Sequence, residues 1–160
     1  MKKNKHYLLI PVLTLFLFGQ ALFAQTDKTD LEQFQARFGT EKKAMISGFL
    51  KIDSNNAFWP IYNEYEMKRQ EQGNQRLQAL TNYVNNYDKM DDATYDNTIK
   101  QMIQLRDGHD KLLDEYYHKI KKASGSKVAS QFFQIEMYIQ SAIRVGIMEG
   151  IPFIGELESK

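Results

Sequence analysis

The sequence predicts an all-α protein: an elongated, antiparallel, four-helix, hairpin-like domain placed after a short leader. Three observations carry that prediction. Apolar residues return at steps of three and four rather than alternating. Helix breakers are sparse in the 160 residues, with nine Gly and three Pro, and Pro60 is the one proline within the body. Each periodic run is preceded by a residue suited to capping a helix, and the connections between runs are short, as between antiparallel neighbours.

The first 24 residues read as a cleavable secretory signal. Lys2, Lys3 and Lys5 form a basic start, Tyr7 to Phe18 form an apolar run, and Gly19-Gln20 precede small residues at Ala21 and Ala24. The apolar run is shorter than the ~20 residues of a spanning helix. Cleavage is expected after Ala24, with Ala21 as the alternative, because Leu22 is large for the −3 position. Residues 25–160 then form one domain. The chain has no cysteine, which excludes a lipid-attached amino terminus of the cysteine type and any disulfide, so a packed core must supply stability. Cleavage removes three lysines and no acid, leaving 18 Lys plus Arg against 20 Asp plus Glu, a net charge near −2. That balance argues against nucleic acid as a partner.

The first helix is expected from about Asp30 to Leu50, with Leu31, Phe34, Phe38, Met45 and Phe49 as its stripe and Gly39 weakening its middle. Asp53 is the expected cap of the second helix, with Asn56 reaching back and Ile52 facing Ala57. Its stripe is Phe58, Ile61, Tyr62, Tyr65, Leu77, Leu80, Val84 and Tyr87. Pro60 in the second turn predicts a bend. The polar stretch Lys68 to Arg76, which includes Gly73, is either a solvated part of one long helix or a break. Asp91 caps the third helix, with Met90 and Tyr95 as a staple pair and Tyr95, Ile99, Met102, Leu105, Leu112, Leu113, Tyr116 and Ile120 as the stripe. After the Ser124-Gly125 turn, Ser126 caps a fourth helix built on Val128, Phe132, Ile135, Ile139, Ile143 and Ile147, stopped by Gly150 and Pro152.

Catalytic chemistry finds no support. There is no cysteine and no serine in a Gly-x-Ser-x-Gly elbow, so the chain reads as a non-enzyme. His109 and His118 lie on one helix near Asp107, Asp110, Asp114 and Glu115, but nine residues place them on roughly opposite faces. They read as solvated, with no metal and no cofactor expected. The scattered methionines read as core filler. Glu136 is the unusual charge, because it falls inside the apolar stripe of the fourth helix. A buried carboxylate needs a partner, and the first candidates are Arg69, itself on the stripe of the second helix, and Arg106, with a tyrosine hydroxyl as the alternative. Among the many aromatics, Trp59, Tyr117, Phe133 and Tyr138 fall beside the main stripes, where a surface for binding partners would lie.

The run Ile52-Asp53-Ser54-Asn55-Asn56-Ala57-Phe58-Trp59-Pro60-Ile61-Tyr62-Asn63-Glu64-Tyr65-Glu66 resembles the Spy/CpxP type of small periplasmic helical proteins. These carry a Leu-Thr-x-x-Gln motif at the cap of a long helix, and many envelope relatives follow it with Phe-Trp-Pro-Ile-Tyr-x-Glu-Tyr. Here Ile52, Asp53 and Asn56 stand at the motif's Leu, Thr and Gln. Phe132-Phe133-Gln134-Ile135-Glu136, with Ile151-Pro152 beyond, is similar to the last helix of those relatives. The resemblance covers about a third of the chain after the leader. It implies a helical periplasmic protein, and a function among ATP-independent chaperones that hold unfolded proteins, often as dimers, or among regulators of envelope-stress or metal-stress signalling.

The expectation is therefore a periplasmic binding protein that holds unfolded or envelope proteins on an apolar helical surface. It would keep no membrane anchor after cleavage and could form a homodimer. Trp59, Tyr62, Tyr117 and Phe133 are the expected contact residues. The alternatives are a regulator that binds one sensor protein, a metal-stress protein using His109 and His118, and a structural envelope protein without ligand.

Overall fold

A computed structural model describes residues 28–154, and the side chains from Phe38 onward. The predicted signal and the cleavage sites lie outside the described residues, and the stripe residues Leu31 and Phe34 lie within α1 but before the described side chains. The described residues are helical, with no strand among them. Three helices follow one another: α1 (Lys28–Leu50), α2 (Phe58–Asn86) and α3 (Asp92–Gly150), with a 3-10 turn at Tyr87–Lys89 between the last two. The count is three rather than four: α3 continues past the expected boundary near Ser126 and is interrupted there by one non-helical residue, Gly125.

The chain divides into two compact units. One joins the segment ending at Lys51 to Gln134–Ile151, and the other joins Ile52–Phe133 to the segment beginning at Pro152.

In the first unit, α1 runs through Gly39 without a break. Its buried row is Lys42, Ile46 and Leu50, while Phe38, Met45 and Phe49 are half-buried. The inward face is thus turned by one residue from the predicted stripe, because a lysine occupies the first position of the buried i, i+4 row. Lys51 ends the helix in the left-handed region at φ 51°, and its N–H donates to the carbonyl of Ser47 at 3.0 Å. That is the single-bond left-handed C-cap, a place usually taken by glycine.

In the second unit, α2 begins five residues after Asp53. The Asp53 Oδ1 accepts from the N–H of Asn55 at 2.7 Å, so Asp53 closes a turn in the loop and does not cap the helix. Asn56 takes that role, its Oδ1 accepting from the N–H of Phe58 at 2.9 Å. The later start places Pro60 in the first turn, where the missing N–H is one of the groups a helix leaves unpaired anyway. The helix then continues unbroken through Gly73 to Asn86. Asp91 does cap α3: its Oδ1 accepts from the N–H of Thr94 at 2.9 Å and from the Thr94 hydroxyl at 2.5 Å. These bonds, the hydroxyl's first, hold the Asp91 carboxyl below its ordinary value.

α2 and the first part of α3 run antiparallel. Ser124 Oγ donates to Asn56 Oδ1 at 2.7 Å, Tyr116 hydroxyl to Glu64 Oε1 at 2.6 Å, and Gln72 Nε2 to the Gly108 carbonyl at 3.1 Å. Each advance of eight residues along α2 is matched by a retreat of eight along α3. At Gly125 the backbone leaves helical geometry, with φ 86° and ψ 164°. In a straight helix Tyr117 and Phe133 would be about 24 Å apart. Their rings are 5.8 Å apart, so the chain reverses at Gly125 and the next turns of α3 fold back onto the hairpin.

Candidate functional site

The inner side of the second unit is an aromatic stack. Phe58, Tyr62, Tyr65, Tyr116 and Phe132 are each completely buried. Phe132, brought back by the reversal, stands edge-on to Tyr65 at 5.1 Å, Phe58 at 6.0 Å and Tyr62 at 6.4 Å. Edge-to-face pairs at these separations add to the burial of the rings. Tyr62, expected among the contact residues, is instead a completely buried core residue. Helical spacing from Phe58 and Tyr65 had already placed it on the inward stripe.

Trp59 is half-buried. Its ring lies edge-on to Phe58 at 5.0 Å, and its Nε1 donates to the Asp53 carbonyl at 3.0 Å, which holds the loop before α2 against the helix. Tyr117 is half-buried and Phe133 is exposed. Their two rings meet edge to face across the reversal, with Lys121 Nζ 5.9 Å from the Tyr117 ring.

A charged girdle surrounds Tyr116. Its hydroxyl bond to Glu64 is shared with Lys119 Nζ, 3.3 Å from the same oxygen and 2.9 Å from Glu115 Oε1. Lys119 Nζ also lies 4.3 Å from the centre of the Tyr116 ring, a cation–π distance. Burial, then the Glu64 bond, raises the tyrosine's pKa. The Tyr116 bond, then Lys119, lowers that of Glu64. The bond to Lys119 lowers Glu115, and the bond to Glu115 raises Lys119. This arrangement fixes the register of α2 against α3.

Glu136 is completely buried, as its position in the stripe predicts, but its partner is not Arg69. Both carboxylate oxygens lie 2.8 Å from Nζ of Lys42, also buried, within the first unit. Arg69 is held by Glu66 on its own helix, with Nε 3.0 and 3.1 Å from the two oxygens, and Arg106 by its neighbour Asp107. Sequence reasoning missed Lys42 because a lysine in a row of apolar residues reads as a surface residue. Its four-residue spacing to Ile46 was the available signal.

The other face of α3 in the first unit exposes four large apolar side chains, with the polar Gln134 and Ser141 among them. Met137, Tyr138, Val145 and Met148 are exposed by 45%, 38%, 56% and 54%. At 100° per residue they fall within an arc of about 100°, opposite the buried Ile135, Glu136 and Ile139. Large apolar side chains on the outer side of a helix ordinarily mark a face that is covered; here they are left in solvent. The methionines Met67, Met137 and Met148 are correspondingly exposed and are not core filler.

His109 is buried rather than solvated, while His118 is exposed beside Asp114. Ser126 follows the reversal and is exposed. The hydroxyl that ties the reversal to α2 belongs to Ser124. Among the described residues no group of three or more His, Asp or Glu is placed to hold a metal ion, and no helix is long and apolar enough to cross a membrane. Compared with protein-family models, with curated proteins and with solved structures, the chain matches none.

Proposed function

We propose that the protein is a non-enzymatic, exported binding protein that holds unfolded or partner proteins in the periplasm, as Spy/CpxP-type chaperones do. The observation that carries this reading is the exposed apolar arc of Met137, Tyr138, Val145 and Met148, on the side of α3 opposite its buried row. A large apolar side chain in water gains about 1.5–3 kcal/mol on full burial. Several on one face give a partner a weak, non-directional hold that depends little on the partner's sequence. Methionine and tyrosine suit that role, one by flexibility and the other by offering apolar area with a polar tip. Phe133 and Tyr117 add a second apolar edge in the other unit, and Trp59 contributes its half-exposed ring.

The reading includes a signal cleaved near Ala24 and a four-helix, antiparallel arrangement in which Gly125 separates the third and fourth helices. Export removes the protein from ATP, so holding must rest on surface affinity alone. The test is aggregation of an unfolding client protein followed by light scattering, without nucleotide. The purified protein is expected to suppress scattering at a stoichiometric ratio. Unchanged scattering at that ratio would refute the holding function.

A further inference from the structure

Between α2 and the first part of α3 lies a cleft of about 320 Å³, contained within the second unit. Six carboxamides line it: Gln72, Gln75, Gln78 and Asn82 from α2, and Gln101 and Gln104 from α3. No charged side chain and no aromatic ring does. Helix pairs ordinarily meet through apolar residues, and here Ala79 and Leu105 are the apolar members of the lining. Gln72 shows that the amides have work left over. Its Nε2 donates to the Gly108 carbonyl, while its Oε1 is buried and accepts no hydrogen bond, an arrangement that costs free energy until a donor reaches it.

The geometry points to a site for the main chain of an extended, unfolded polypeptide, recognised through its amide groups rather than its side chains. A carboxamide carries one acceptor and two donor hydrogens, and a peptide unit carries one donor and one acceptor, so the two pair in both directions. The lack of any charge in the lining offers nothing to an anion or a cation. The lack of a ring removes the flat apolar platform on which a sugar face packs. Length also fits: the ten helical steps from Gln72 to Asn82 span about 15 Å, the reach of four to five residues of extended chain at about 3.3 Å each. Such a site does not discriminate sequence, as binding unfolded proteins requires. The inference rests on the proposed holding function for the identity of the occupant.

The test is a nuclear magnetic resonance titration of the purified protein, read at the glutamine side-chain NH₂ signals. Three probes are used: a ten-residue Gly-Ser peptide, the same peptide methylated on its backbone nitrogens, and a neutral oligosaccharide. The Gly-Ser peptide is expected to shift the signals of Gln101 and Gln104, and Gln75→Ala/Gln101→Ala/Gln104→Ala to weaken its binding at least tenfold. The three glutamines are exposed and alanine favours helix, so the variant keeps its fold, checked by circular dichroism. Equal binding of the methylated peptide, equal binding by the triple variant, or binding of the oligosaccharide alone would overturn the inference. Suppression of client aggregation without any Gly-Ser binding would remove the cleft site and leave the holding function standing. Gly-Ser binding without suppression would do the reverse.

Discussion

At the scale of single residues, the buried Lys42–Glu136 pair has the largest stability consequence. Removing one partner leaves an uncompensated charge away from water, at a cost of about 3–5 kcal/mol. Lys42→Met is expected to lose that much in urea denaturation. Lys42→Met/Glu136→Leu is expected to recover most of it, because an apolar pair of similar volume has no ion to desolvate. A double variant as unstable as the single one would show that the pair is worth more than its geometry suggests. The sequence revealed half of this pair. Glu136 stood out as an acid among isoleucines, whereas Lys42 did not, since a lysine stem is compatible with either surface or core and only the fold tells which.

The Tyr116 girdle gives a second residue-scale prediction. The carboxyls of Glu64 and Glu115 are lowered from an ordinary value of 4.5. A lowered acid stabilises the fold above its unfolded pKa, and that contribution disappears as pH falls through the folded one. Stability should therefore decline as pH drops below about 4.5. Glu64→Gln should flatten the decline in thermal melts between neutral and acid pH, and high salt should flatten it less in the variant than in the parent. A variant with an unchanged acid limb would place the linkage elsewhere.

At the scale of elements, the junctions decide the fold more than the helices do. Gly125 lies in a region of backbone space reserved almost entirely for glycine, and a Cβ there would meet nothing within 4 Å. The cost of Gly125→Ala is then backbone strain alone, about 1–3 kcal/mol, measurable as a lower urea midpoint. No loss would mean that the reversal relaxes without glycine. Lys51 is the converse case, a side chain in the left-handed region at φ 51°. Lys51→Gly should stabilise α1 by about 0.5–1 kcal/mol, and a drop in melting temperature would contradict the assigned cap.

The helices themselves were legible from period and composition. Junctions were legible where the cap was local, as at Asp91 and in the Ser124-Gly125 turn. They were obscure where two oxygens competed. Asp53 and Asn56 both precede α2, and tertiary contact chose between them, since Asn56 also receives the Ser124 hydroxyl from the far end of the hairpin. The Lys51 cap left no trace in sequence because lysine there gives no left-handed signal.

At the scale of the whole molecule, the proposed holding function rests on what the helices leave uncovered. Tyr62 shows why aromatic residues could not be sorted from sequence alone: it shares a stripe with core rings and is sealed by Phe132, which arrives only through the reversal at Gly125. Tyr138 and Phe133 stand off their stripes by one position and stay exposed. Met137 and Met148, which read as core filler in the sequence, are exposed as well.

The most direct test is to make the exposed apolar arc of α3 polar and repeat the aggregation measurement. Met137→Gln/Tyr138→Gln/Val145→Ser/Met148→Gln alters four exposed positions, where substitutions usually change stability by no more than about 0.5 kcal/mol each. The variant is therefore expected to fold like the parent. The account predicts that the parent suppresses client aggregation at a stoichiometric ratio and that the folded variant loses most of this effect. A folded variant that protects the client as well as the parent would contradict the assignment of binding to this face.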